Sequence, residues 1–279
     1  MLTRHAGLLA RLLPTDDPAA LTVCRGQFHD VVLGATRVVC FARTDAAERR
    51  LPRRAAQLRL LAGLSLGVRT PEPLGAGHDP GYLLLDRLPG EPLDPDAPVP
   101  AEAAARYAEL LTALAGAAAD PDVRAGLRRV DPGAGGAWTG FAHDVRAELY
   151  PLMSAAGRRR ADLELAAVLA LSPVATAVVH GDLGGANVLW TTVDGVPRLS
   201  GVLDWDDVSL GDPAEDLAAI AATHGDDLLD EVLDLMGIPE AAGRERVAAI
   251  RGTFALQQAL AALRDGDRAE LADGLSGYH

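Results

Sequence analysis

Two short segments hold side chains whose types and spacing suit moving a charged group between oxygens. In Val178-Val179-His180-Gly181-Asp182-Leu183-Gly184-Gly185-Ala186-Asn187-Val188-Leu189, an apolar run delivers His180 and Asp182 into a Gly-rich loop, and Asn187 stands five residues after Asp182. In Gly201-Val202-Leu203-Asp204-Trp205-Asp206-Asp207, a second apolar run ends on Asp204, 22 residues beyond Asp182. Phosphoryl transfer asks for little covalent chemistry from a protein. It needs an aligned hydroxyl, a carboxylate beside it and metal ions to neutralise phosphate oxygens. Asp182 is the right group to accept a hydroxyl proton, and Asn187 and Asp204 offer the oxygen ligands that Mg²⁺ takes.

Each signal is weak in isolation. A lone Asp after an apolar run is ordinarily a turn or a helix cap. Gly211-Asp212-Pro213 reads first as a helix start, with Asp212 as N-cap and Pro213 at the first helical position. The succession of all three segments is what separates chemistry from capping, because it reproduces the order of a kinase catalytic loop, metal-binding Asp and following helix. Asp206 and Asp207, beside Asp204, are candidates for contacting a cationic substrate. His29, His78, His143 and His224 show no metal-ligand spacing and read as structural.

The elements that must position these residues divide into two kinds. Residues 1–13 suggest a helix stopped by Pro14, followed by short β-prone runs at Leu21-Thr22-Val23, Val31-Val32-Leu33 and Val38-Val39-Cys40-Phe41. A helix is expected from Ala46 to Leu64 and an apolar strand from Tyr82 to Asp86, halted by Pro89-Gly90. Beyond Gly90 the chain turns Ala/Leu-rich, with helices expected over 101–119, 138–153, 158–171, 213–222, 226–236 and 243–264. Residues 120–136 read as a loop, and strand-like pieces at 175–179, 188–192 and 202–203 interrupt the helices. The expected class is α+β: a small β-rich N-terminal lobe and a large, mainly helical C-terminal lobe in a bilobal protein-kinase-like fold. The expected division is 1–84, a connector at 85–90, and 91–279.

Composition narrows the partners. The net charge of −13 argues against nucleic acid, which calls for a basic stripe. Between His180 and Glu240 stand 14 Asp or Glu and one Arg, a lopsided cluster that favours a cationic small molecule. No apolar run is long enough to span a bilayer, the N-terminus lacks a signal-peptide cleavage site, and the only cysteines are Cys24 and Cys40. A cytoplasmic protein, monomeric or weakly dimeric, with no membrane partner, is therefore expected. All 26 basic residues are Arg, so any mechanism that needs a lysine must be rewritten.

His-Gly-Asp-x-x-x-x-Asn, then Asp-Trp, then Gly-Asp-Pro-x-x-Asp-Leu-Ala, resembles the aminoglycoside phosphotransferase and choline kinase superfamily. Within it, the segments Gly26–Val32, Arg37–Thr44, Arg251–Leu260 and Ala272–Tyr278 are similar to the phosphotransferases of tuberactinomycin antibiotics, the viomycin and capreomycin group. The resemblance implies an antibiotic-resistance O-phosphotransferase using ATP or GTP with Mg²⁺. It makes Asp182 the catalytic base, His180 an orienting residue of the loop, Asn187 and Asp204 the metal ligands, and Asp212 a brace for the catalytic loop. It makes Gly26 part of a flexible phosphate loop and Leu85, Asp86 and Leu88 the connector that meets the nucleotide base.

The N-terminal segment departs from that pattern. The family places a Lys on the third strand and a Glu on the next helix, whereas alignment puts Cys40 and Arg54 there. Arg43 and Arg54 are the candidates for the missing phosphate cation. Other readings are an aminoglycoside kinase, a metabolic kinase of choline, homoserine or a sugar, and a nucleotide-binding pseudokinase. Retention of Asp182, Asn187 and Asp204 weighs against the last.

Overall fold

The computed structural model describes residues 1–26, 28–94, 98–127 and 136–279. In chain order the regular elements are α1 (Ala6–Leu12), β1 (Thr22–Arg25), β2 (His29–Leu33), β3 (Arg37–Ala42), α2 (Asp45–Ala62), β4 (Pro73–Gly77), β5 (Tyr82–Asp86) and α3 (Ala103–Ala117). There follow α4 (Pro121–Gly126), α5 (Gly136–Asp144), α6 (Ala155–Leu169), β6 (Ala177–Val179), β7 (Val188–Val193), β8 (Val196–Val202), β9 (Ser209–Gly211), α7 (Ala214–His224), α8 (Asp226–Leu235), α9 (Glu240–Arg251), α10 (Phe254–Asp265) and α11 (Arg268–Gly274). The strands concentrate before residue 90 and the helices after it, which is the α+β class expected. The chain packs as two compact units, residues 1–113 with 185–208, and residues 114–184 with 209–279.

The first unit is built on an antiparallel sheet in the order β1-β2-β3-β5-β4. Its central strand, β3, sets Cys40 opposite Val31 on one side and Leu83 on the other. Val32, Val39, Phe41 and Leu84 pack with Leu9 and Leu13 of the N-terminal helical segment. Helix α2 begins at Thr44, whose hydroxyl accepts from the Ala47 N–H (3.1 Å), with Asp45 and Glu48 in its positively polarised first turn. Leu51, Ala55, Leu58 and Leu61 recur at helical spacing and are buried, which fixes the face that Arg54 shares. Strands β7 and β8 form a hairpin closed by Asp194-Gly195, both at positive φ (52° and 79°), as a tight hairpin turn requires.

The second unit has the short pair β6 and β9 and the helices from residue 114 onward. Its core joins Val145, Leu149, Leu165, Leu256 and Leu260 to Tyr278, which is fully buried. The expected helix over 138–153 is α5 followed by a π-turn at 145–149 and a 3₁₀ turn at 150–152. The helix expected over 243–264 is two helices, because the Thr253 hydroxyl donates to the Ile250 carbonyl (2.7 Å) and the chain breaks at Gly252-Thr253. The segment expected as a loop, 120–136, contains α4, capped by Asp120 with Pro121 at its first position; residues 128–135 lie outside the described residues. Among the described residues no helix is long and apolar enough to cross a membrane.

Candidate active site

In the second unit, β6 is a fully buried strand that ends on His180, itself wholly inaccessible. The chain then turns through Gly181 at φ 92°, a conformation that favours glycine, and exposes Asp182. The His180 Nδ1 accepts from the Asp182 N–H (3.1 Å), which ties the ring to the backbone of the loop. Asp216, on α7 and also wholly buried, accepts from the N–H groups of His180 (2.9 Å) and Gly181 (3.0 Å). Burial pushes the Asp216 carboxyl above its usual range, against the nearby His180 and the two N–H bonds, which favour the anion. The loop beneath Asp182 is thus pinned through its backbone.

Asp212 was expected to brace this loop. It also reads as an N-cap; its carboxylate accepts from the Ala214 N–H (3.1 Å) and pairs with Arg246, whose Nε lies 2.6 Å away and whose Nη2 also donates to the Ser172 carbonyl (2.7 Å). Between Asp212 and Asp216, burial lifts the Glu215 carboxyl to about 7, aided by the two acids and opposed by the Asp212 N–H and Arg246. The side-chain bonds to the backbone of His180 and Gly181 come from Asp216. Its place in the Gly-Asp-Pro-x-x-Asp segment was the available signal, since residues four apart share a helix face.

In the first unit, a 3₁₀ turn delivers Asn187 to the start of β7, and Asp204 follows the end of β8. The Leu203 N–H donates to the Asn187 carbonyl (2.8 Å), which ties the two segments together where both candidates emerge. Asp204 has φ 55°, in the left-handed region, and its side chain is 59% exposed. Trp205 is buried and its indole N–H donates to the Val202 carbonyl (2.9 Å), turning the chain. A carboxamide and an exposed carboxylate are hard oxygen donors that fit Mg²⁺, whose other positions phosphate and water commonly fill.

The cations of this unit are arranged differently from one another. Arg54 lies with its Nε 2.7 Å from Asp206 Oδ1, an ion pair without hydrogen-bond alignment, and its Nη2 3.9 Å from Asp204 Oδ1. Its Nη1 lies 3.1 Å from His29 Nδ1. Burial and the neighbouring Arg54 lower the His29 pKa to about 4, so the ring is neutral and accepts from the guanidinium. Burial raises Asp206 to about 6; Arg54 opposes this, and Asp204 and Asp207 add to it. Cys40 is buried, and burial pushes its thiol to about 11, so it contributes no charge near neutral pH. Arg43 donates from Nη1 to the Gly26 carbonyl (2.7 Å), fastening the turn between β1 and β2. Asp207 is exposed, unlike Asp206.

The connector residues Leu85 and Leu88 are buried, and Asp86 accepts from the Glu72 N–H (2.6 Å) and Arg69 Nη2 (2.6 Å). The N–H groups of Asp86 and Arg87 are taken by the Glu72 and Thr36 carbonyls. Among the described residues the Leu88 backbone has no hydrogen-bond partner.

A family model described as "Phosphotransferase enzyme family" (APH) matches residues 27–250. The chain is 58% identical over 287 residues to viomycin phosphotransferase of Streptomyces vinaceus, covering 100% of this chain and 99% of that one. Among solved structures it resembles the GDP and kanamycin complex of APH(2″)-IIia, with TM-score 0.83 at 19% identity over 99% of this chain and 97% of that chain. It also resembles macrolide 2′-phosphotransferase type I, with TM-score 0.74 at 23% identity over 99% and 97% of the two chains.

Proposed function

The chain belongs to the phosphotransferase enzyme family, and from that premise we propose that it moves the γ-phosphate of ATP or GTP to a hydroxyl of a cationic cyclic peptide antibiotic of the viomycin and capreomycin type. The observation that carries the substrate class is 58% identity sustained over the whole length of a viomycin phosphotransferase. The dense acidic charge from His180 to Glu240 supports a cationic acceptor on independent grounds. A phosphoryl group adds negative charge to a drug that depends on its cations, and resistance follows.

In this reading Asp182 accepts the acceptor hydroxyl's proton while that oxygen attacks the γ-phosphorus, the bond from phosphorus to the β,γ-bridging oxygen breaks, and the nucleoside diphosphate leaves. The attack needs a carboxylate fixed relative to the backbone, which the contacts from Asp216 to His180 and Gly181 favour. Asn187 and Asp204 would hold Mg²⁺, which would neutralise the phosphate oxygens. The nucleotide base would lie against the connector at 85–90 and meet the free backbone of Leu88. We assign nucleotide binding to residues 1–84, acceptor binding and the catalytic base to 91–279, substrate contact to exposed Asp207, and the site of action to the cytoplasm.

The test is a panel of acceptors. Viomycin, capreomycin and kanamycin are each incubated with protein, Mg²⁺ and either ATP or GTP, and the products are weighed by mass spectrometry. Phosphorylation of the two peptides and not of kanamycin is the expected result. Phosphorylation of kanamycin alone would replace the peptide reading with an aminoglycoside one.

A further inference from the structure

We propose that Arg54 is a positioning residue that clamps the Asp204-Trp205-Asp206 turn, so that its guanidinium acts on the metal-binding carboxylate and not on the nucleotide phosphates. The inference rests on the assignment of Asp204 as a metal ligand in the phosphotransfer reading above.

Four observations converge on it. The Arg54 side chain is only 15% exposed, and each of its nitrogens already faces a protein group: Nε faces Asp206 (2.7 Å), Nη2 faces Asp204 (3.9 Å) and Nη1 faces His29 Nδ1 (3.1 Å). A planar guanidinium is rigid, so one hydrogen bond to His29 and ion pairs with Asp206 and Asp204 on its other edges determine its orientation. Asp206, with its side chain 26% exposed against 59% for Asp204, is the inner anchor of the turn, and Asp204 is the outer, available carboxylate. Asp204 also sits at φ 55°, a conformation that persists at a non-glycine residue when its surroundings hold it.

The other side of the turn is held without charge. Leu203 N–H donates to Asn187 C=O (2.8 Å), and Trp205 Nε1–H donates to Val202 C=O (2.9 Å). These two bonds fix the backbone around Asp204 but leave the direction of its carboxylate open. Arg54 supplies that direction from α2, while His29 on β2 aligns Arg54. Cys40, at the strand position where a cation is absent, is buried and contributes packing only. A helix Arg paired with an Asp two residues past the metal ligand therefore links α2 to the metal site, with the signs of charge reversed from a strand cation and a helix anion.

Arg54→Met, Arg54→Lys, Asp206→Asn and the Arg54→Met/Asp206→Asn double variant test the clamp. Mn²⁺ affinity in the presence of nucleotide is read by electron paramagnetic resonance, nucleotide KM at saturating Mg²⁺ by kinetics, and amide exchange over 203–206 by NMR. A group that orients a metal ligand typically changes metal affinity by about 10–100-fold when removed. Arg54→Met and Asp206→Asn should each weaken Mn²⁺ binding in that range and speed exchange over 203–206, and the double variant should be no worse than the worse single. Arg54→Lys, a point charge without the fork, should fall between wild type and Arg54→Met. A raised nucleotide KM in Arg54→Met with unchanged Mn²⁺ affinity, or losses that add in the double variant, would overturn the clamp in favour of a direct phosphate contact. If Arg54→Met does not fold, Arg54→Lys and Asp206→Asn carry the same comparison. Wild-type protein that transfers no phosphate would refute the functional reading, while exchange over 203–206 would still decide the clamp.

Discussion

Asp216 accepts hydrogen bonds from the backbone N–H groups of both His180 and Gly181, at 2.9 and 3.0 Å, from a position on α7 with no solvent access. One buried carboxylate thereby fixes the two residues that precede Asp182. Replacing Asp216 with Ala leaves the buried His180 N–H without its acceptor, at about 1–3 kcal/mol, and frees the part-buried Gly181 N–H to water. Asp216→Ala should lower the melting temperature and turnover together. Asp216→Asn, which keeps one accepting oxygen, should be milder in both. A folded Asp216→Ala with wild-type turnover would show that the loop is held by other means.

Asp182 is exposed and contributes little to packing, so as the proposed base it can be replaced without loss of the fold. Asp182→Asn should melt at the wild-type temperature, bind nucleotide normally and lose about 10²–10⁴-fold in turnover, the usual contribution of a positioned acid–base group. Turnover within a few-fold of wild type would remove Asp182 from the role of base.

Glu215 gives the stability a specific pH dependence. Its carboxyl is lifted from 4.5 to about 7 in the fold, chiefly by burial and then by Asp212 and Asp216, against the Asp212 N–H and Arg246. Between those values the folded chain holds a proton that the unfolded chain has released, so stability falls as pH rises through the window. The contribution is fully present below about 4.5 and gone above about 7. Glu215→Gln stays neutral throughout, so its melting temperature should fall less than that of wild type as pH rises. Calorimetric melts of the two proteins from about pH 5 to about pH 8 make the comparison, and parallel curves would contradict it.

The C-terminus closes the helical unit. The Tyr278 hydroxyl donates to Glu164 (2.6 Å), its carbonyl accepts from the Ser154 N–H (3.0 Å), and the Arg160 guanidinium lies 4.7 Å from its ring centroid. A side chain at Gly157 would collide with the Tyr278 backbone. Tyr278→Ala should cost about 3–5 kcal/mol, as the loss of a buried aromatic does. Gly157→Ala should destabilise by displacing the tail. Urea unfolding measures both, and an unchanged midpoint for Gly157→Ala would mean that the tail docks elsewhere.

Much of this was legible because local chemistry and fold agree. The apolar run ending in His180-Gly181-Asp182 is a buried strand meeting a glycine turn, and the motif carries its own strand and loop. The α+β class followed from the change in composition at Gly90. What the sequence hid depends on partners distant in the chain. Asp212 and Asp216 are both buried acids of one segment, and only their partners, Arg246 for one and the His180 and Gly181 N–H groups for the other, tell them apart. Strand β4, Pro73-Leu74-Gly75-Ala76-Gly77, carries no expected element, yet it is an edge strand, where Pro and Gly are tolerated. The break at Gly252-Thr253 interrupts an unbroken helical periodicity, and it depends on a hydroxyl that folds back on its own helix. Arg54 looks like an exposed helical charge until β2 and the Asp204–Asp206 turn surround it.

Transfer to oxygen on a cationic peptide leaves a phosphate monoester, which the phosphorus spectrum of the product identifies. Viomycin is incubated with the protein, ATP and Mg²⁺, purified, and examined by ³¹P NMR and tandem mass spectrometry. The account requires one new resonance of a phosphate monoester, stable in mild acid, with fragments that place a single phosphoryl group on a hydroxyl-bearing residue, and no such product from Asp182→Asn under the same conditions. An acid-labile phosphoramidate on an amine, or viomycin recovered unmodified while another acceptor is phosphorylated, would contradict it.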